Sequence, residues 1–304
     1  MDGELWTSPH GRALPDWRAR TLVMGILNIT PDSFSDGGAY NAPAAALRHA
    51  EQLLAEGADL LDVGGESTRP GASPVSEPEE RERVLPVIRE VRRRFPEVPI
   101  SIDTFKAGTA AAAIDAGADL INDVWGAKHG MSVADLRRWE GALRAGESLD
   151  GVAGSPIADV AASRGAPCIL MHNRAKPEYR DFWDEVLFDL RVSIALARGA
   201  GVPDHQIWLD PGFGFGKNPG HNLEVLKHLD RVSGLGYPVL LGTSRKSTIG
   251  RVLDRPVMER GRGTAATLVW GIAHGCRMVR LHDVEEHRDA VAMADAIREG
   301  MRYA

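Results

Sequence analysis

Cysteine is scarce: the 304 residues contain 2, Cys168 and Cys276, far apart in apolar segments. They form neither a disulfide framework nor a zinc-type spacing, and they read as reduced, buried thiols of a cytoplasmic protein. No apolar run approaches the roughly 20 residues of a membrane span. Positive charge is in deficit, with 36 Lys and Arg against 42 Asp and Glu and a net charge of -6. Overall attraction to nucleic acid or an anionic membrane is thereby excluded, and an anionic substrate must be held by a local basic cluster. No Pro/Ser linker or low-complexity run divides the chain, so a single domain is expected. Residues 1–20 read as an N-terminal extension, polar at the start and without the apolar core of a secretion signal.

What is present is a repeated alternation. Apolar strands are expected over 22–29, 58–63, 99–103, 119–124, 167–172, 206–210, 238–242 and 277–281. Between and after them, helical spacing runs over 43–56, 78–95, 106–116, 157–164, 182–198, 222–230, parts of 247–275, and 284–301. Strands apolar on both faces belong to a parallel sheet, and eight such units fit a (β/α)8 TIM barrel over residues 21–304. An open doubly wound sheet fits the same alternation. The run Gly212-Phe213-Gly214-Phe215-Gly216-Lys217 has neither dinucleotide-binding nor P-loop spacing. Extra chain over 127–155, after the fourth strand, reads as an insertion. It carries an amphipathic helix, Val133–Arg144, started by Ser132, with Leu136, Trp139 and Leu143 on one face to pack on the barrel or a partner or to form a flap.

In such a barrel the C-terminal strand ends meet at one mouth. Here those ends carry Asn28, Glu66 with Thr68 and Arg69, Asp103, Asn122, His172, Asp210, Ser244 to Ser247, and Arg280 with His282. Each residue taken alone fits a cap or a turn. Polar groups at all eight ends together point to a site. Two carboxylates and an amide among apolar strand ends suit a flat, nitrogen-rich heterocycle whose N–H donors need acceptors. Arg280, His282 and Asn28 suit an anion, and Ser247 at a helix start suits a carboxylate or phosphate.

Read together, Met24 to Gly38, Gly64-Gly65-Glu66-Ser67-Thr68-Arg69-Pro70-Gly71, Ile102-Asp103-Thr104, Ile121-Asn122-Asp123, Leu170-Met171-His172, Asp210 to Lys217, Ser244-Arg245-Lys246-Ser247 and Arg280 to Val284 closely resemble the bacterial dihydropteroate synthases. The resemblance implies transfer of the pterinylmethyl group of 6-hydroxymethyl-7,8-dihydropterin pyrophosphate to p-aminobenzoate, with pyrophosphate released. It implies pterin contacts at Asp103, Asn122, Met171, Asp210, Phe215 and Lys246, and a p-aminobenzoate site at Thr68, Arg69, Pro70 and Ser247. Pyrophosphate is expected at Asn28, Arg280 and His282, with Mg2+ near Asn28 and Asp36, and the family habit implies a homodimer. The loops 31–41 and 64–76 are expected to act as lids. A methyltetrahydrofolate-binding methyltransferase barrel and a non-catalytic pterin-binding paralogue are the rival readings.

Overall fold

In the computed structural model, which describes residues 4–29, 42–67, 73–131, 133–147 and 155–300, the uniformly apolar runs become strands whose faces are both covered. These are β1 (Leu22–Asn28), β2 (Leu60–Gly64), β3 (Ile100–Asp103), β4 (Leu120–Asp123), β5 (Cys168–Met171), β6 (Ile207–Asp210), β7 (Val239–Leu241) and β8 (Cys276–Leu281). All neighbours pair in parallel, and β8 returns to β1 with Leu22 opposite Met278 and Gly25 opposite Leu281. That pairing closes the barrel and eliminates the open doubly wound sheet.

The helices are α1 (Ala42–Ala55), α2 (Glu77–Arg94), α3 (Ala107–Asp115), α4 (Val133–Arg144), α5 (Pro156–Arg164), α6 (Phe182–Ala200), α7 (Pro219–Lys227), α8 (Asp230–Ser233), α9 (Ser247–Leu253), α10 (Gly261–Ala273) and α11 (Val284–Glu299). Local chemistry sets their ends. The Ser76, Ser155 and Asp181 side chains cap α2, α5 and α6, and Gly165 and Gly201 end α5 and α6 in the left-handed region. The helix expected over 222–230 starts earlier, at Pro219, because Asn218 and His221 form a reciprocal cap.

Alternation along each strand divides the core. Outward residues such as Val63, Ile102, Ile121 and Val279 pack under the helices. Inward residues Leu22, Met24, Leu60, Leu120, Ile169, Trp208, Leu240 and Met278 fill the N-terminal half of the barrel. The N-terminal extension seals that half. Trp6 and Trp17 are buried against Trp208, ring centroids 4.8 and 5.8 Å away. Ser8 donates to Asp119 at 2.6 Å, and Arg12 pairs with the same buried carboxylate at 3.0 Å.

The insertion's helix, α4, lies on the barrel's outer layer. Trp139 joins the outer core, and the Arg144 guanidinium sits 4.9 Å from the Phe188 ring of α6. Ser132 and the side chains of Leu136 and Leu143 lie outside the described residues. Among the described residues no helix is long and apolar enough to cross a membrane.

Candidate active site

Above the apolar layers the inward positions turn polar. Register sets Asp62 beside Ile26, Gly64 beside Asn28 and Asp103, Asp103 beside Asn122, and Arg280 beside Met24. Across the barrel these side chains meet. The Arg280 guanidinium donates through Nε to Asp62 Oδ2 at 2.5 Å and through Nη2 to Asp103 Oδ2 at 2.7 Å. Asn122 Nδ2 donates to the same Asp62 oxygen at 3.1 Å. Among the described residues each carboxylate's other oxygen, Asp62 Oδ1 and Asp103 Oδ1, is buried without a partner, as is Ser101 Oγ. A buried acceptor without a donor costs roughly 1–3 kcal/mol.

Burial pushes the Asp103 carboxyl up to about 7, against the pull of Arg280 and with the help of Asp62. Burial likewise carries Asp210, at the end of β6, to about 6, against the Gly212 N–H that it accepts at 2.7 Å and the Lys246 charge. Burial opposes charging Arg280, but Asp62 and Asp103 outweigh it and raise its pKa. Lys246 acts on both Asp103 and Asp210, and its Nζ stands 4.0 Å from the centroid of the Phe215 ring. Met171, buried at the end of β5 beside Asp210, contributes an apolar wall.

The rim is more open. Asn28 is half-buried at the end of β1, its amide oxygen next to Gly64, where an added Cβ would fall 3.6 Å from it. That uncharged hard oxygen beside a bare backbone suits Mg2+, which takes few protein ligands and leaves room for substrate oxygens. His282 follows β8, and its backbone N–H donates to Ser244 Oγ at 3.2 Å while Nδ1 lies 3.0 Å from that hydroxyl. Ser247 is the exposed first residue of α9, preceded by Lys246 as its N-cap. Arg245 is held in the left-handed region (φ 57°) by a bidentate pair with Asp283. Asp36, Thr68, Arg69 and Pro70, with the 31–41 loop and part of 64–76, lie outside the described residues.

Two strand-end residues face elsewhere. Glu66 pairs with Lys106 at 2.5 Å and accepts from the Val75 backbone at 3.0 Å, as a brace for the chain after β2. His172, one residue past inward Met171, points away from the pocket to Asp189 of α6. The strand-end reading missed Asp62 and Ser101, which lie inside strands. Their signal was a polar residue at an inward position of an otherwise apolar run.

A profile of the family described as pterin binding enzyme matches residues 24–282. Over 279 residues the chain is 48% identical to the dihydropteroate synthase of Clostridium beijerinckii, covering 91% of this chain and 94% of that protein. Among solved structures, a Clostridium difficile dihydropteroate synthase crystallised in the presence of pteroic acid is 44% identical, with a TM-score of 0.82 over 93% of this chain and 99% of that one. A Xanthomonas albilineans dihydropteroate synthase with 4-aminobenzoic acid is 39% identical, with a TM-score of 0.83 over 97% of this chain and 100% of that one.

Proposed function

The chain belongs to the pterin-binding enzymes, among the dihydropteroate synthases, and from that membership we propose how its own residues join a pterin to p-aminobenzoate. Two orphaned carboxylate oxygens, Asp62 Oδ1 and Asp103 Oδ1, carry the assignment of the pterin pocket. With Asn122 and Asp210 they offer the acceptor-rich wall that a pteridine's ring and amino N–H groups require. Phe215 and Met171 cover its flat faces, and Lys246 balances the negative charge.

We further propose that the pterin arrives as its pyrophosphate ester. The C–O bond to pyrophosphate breaks first, and both of its electrons leave with the pyrophosphate oxygen. The methylene left behind is a cation stabilised by the electron-rich dihydropterin ring. Arg280 and His282 meet the departing charge, and Arg280 is already fixed by two carboxylates, so little reorganisation is needed. The p-aminobenzoate amine, neutral at pH 7, adds to the methylene and then gives its proton to solvent or to the released pyrophosphate. Ser247 at the head of α9, with Thr68, Arg69 and Pro70, holds the carboxylate end of that substrate. Mg2+ bound at Asn28, with Asp36 as a second ligand, would supply positive charge to the diphosphate.

A homodimer is proposed through α7, α9 and α10. Leu223, Val252, Leu253 and Trp270 are large apolar side chains left exposed on these adjoining helices, and Met258, 74% exposed, lies in the short turn of helix between α9 and α10. A cytoplasmic setting fits Cys168 and Cys276, both free, with burial pushing each thiol up to about 12.

A continuous assay of pyrophosphate release, with chromatographic detection of 7,8-dihydropteroate, tests the reaction. Dihydropteroate is expected to form only with both substrates present, and then in an amount equal to the pyrophosphate released. Pyrophosphate release with no dihydropteroate formed when both substrates are present, or no release at all, would refute it.

A further inference from the structure

Behind the pocket wall lies a second polar cluster that the chemistry above does not use. Lys217 ends the glycine-rich run after β6 and turns its ammonium back under its own loop. Nζ donates to Gly212 O at 3.1 Å and Phe215 O at 3.2 Å, and it lies 2.7 Å from His172 Nδ1. Three N–H groups thus meet three acceptors.

His172 is completely buried, and its Nε2 lies 3.1 Å from Asp189 Oδ2. Burial, and then the Lys217 charge, hold the imidazole down to about 3, so it stays neutral, accepting at Nδ1 and donating from Nε2. Asp189 is gripped in turn by Arg174 Nε at 2.7 Å, and its backbone oxygen accepts from Lys128 at 3.2 Å.

The loop needs such an anchor. Three of its six residues from Gly212 to Lys217 are glycine, which is expensive to order. Gly212 (φ 68°) and Gly216 (φ 54°) let the backbone lie flat on the exit of β5. An added Cβ would fall 1.8 Å from His172 O at the first and 2.6 Å from Arg174 O at the second. Tyr179 also donates to Gly216 O, at 2.7 Å. The face turned toward the pocket carries the two parts that matter: the Phe215 ring against Lys246, and the Gly212 N–H on Asp210.

We propose that Lys217, backed by His172 and Asp189, is a positioning residue for pterin recognition: it presets the Gly212–Lys217 loop so that Phe215 and the Gly212 N–H stand ready before substrate arrives. It touches no substrate itself. The inference rests on the pterin-site reading above.

The test is a double-mutant cycle on pterin affinity, measured by calorimetry with 6-hydroxymethylpterin on full-length protein. Parent, Lys217→Met, Phe215→Ala and the double variant are compared. Lys217→Met is expected to weaken pterin about 30-fold, about 2 kcal/mol. If it acts through Phe215, the double variant should bind within about 3-fold of the weaker single variant. The KM for p-aminobenzoate should move by less than about 3-fold, because Lys217 supports only the pterin side.

A folded Lys217→Met protein with parental affinity overturns the inference, and so do effects that simply multiply. Where Lys217→Met does not fold, Tyr179→Phe replaces it in the cycle, since it removes a single tether from the same loop. The same two outcomes count against it there. A parent protein that binds no pterin refutes the pterin-site reading instead.

Discussion

The two halves of the barrel interior are built from the same strands one or two residues apart, yet they do opposite things. Below, Leu22, Met24, Leu60, Trp208 and Met278 form a closed apolar layer, capped by Trp6 and Trp17. Above, Asp62, Asp103, Asn122, Asp210 and Arg280 bring polar groups together, and among the described residues Asp62 Oδ1 and Asp103 Oδ1 find no donor. The lower half gains stability from burial. The upper half gives stability up, and holds polar groups in place for a ligand that completes them.

The sharpest way to break this contrast is at its base. Trp208→Ala is expected to cost about 3–5 kcal/mol in denaturant unfolding, while pterin affinity of the folded protein stays at the parental value. A parallel loss of affinity would show that the halves are not separable. Next in size, Asp210→Asn should weaken pterin about 100-fold in calorimetry, because a charged acceptor is lost. Its melting temperature should hold or rise, since burial penalises that carboxylate. A drop in melting temperature with affinity retained would make Asp210 a structural residue.

Arg280→Met comes third. The family resemblance implies that Arg280 holds the pyrophosphate, but two of its donors hold Asp62 and Asp103. Turnover should collapse, and affinity for pterin lacking the pyrophosphate should also fall, about 10-fold, as those carboxylates lose their partner. Unchanged pterin affinity would confine Arg280 to the leaving group.

Acidity gives the smallest effect. Asp103 and Asp210 have folded pKa values raised by burial to about 7 and about 6. A raised carboxylate pKa means that the folded protein holds the proton more tightly. Its contribution to stability is therefore complete below the unfolded value near 3.8 and is lost as pH rises through 6 to 7. Pterin affinity needs the ionised acceptors and should move the other way, rising about 3- to 10-fold from about pH 5 to about pH 6.5. That window stays below the titration of Lys217, which burial lowers to about 7. Stability and affinity changing together would contradict the assignment of the two carboxylates as acceptors.

Much of this contrast was legible in the sequence because strand parity is. Asn28, Asp103 and Asp210 end their strands on inward positions and Asn122 stands one residue before the end of β4, so a list of strand ends finds them. His172 fails the same list by one residue: Met171 takes the last inward place in β5, and the next side chain points away. Asp62 was missed because it lies mid-strand, where an apolar run hid the fact that it shares a face with Leu60 and Gly64. The extension looked merely polar, since nothing local shows that Trp6 and Trp17 cover Trp208 some 200 residues on. The glycine run after β6 was visible, but the role of its lysine depends on a histidine 45 residues upstream. The span 247–275 resolves into α9 and α10 because Asp254, in the left-handed region, and Pro256 stop the first helix.

A crystal structure of this protein with pteroic acid decides whether the polar upper half of the barrel is the pterin site. The pteridine ring is expected in the upper half of the barrel, its N–H groups within hydrogen-bond distance of Asp103 Oδ1 and the Asp210 carboxylate, with Phe215 on one face. A ring bound elsewhere, with Asp62 Oδ1 and Asp103 Oδ1 still unpaired, would contradict it.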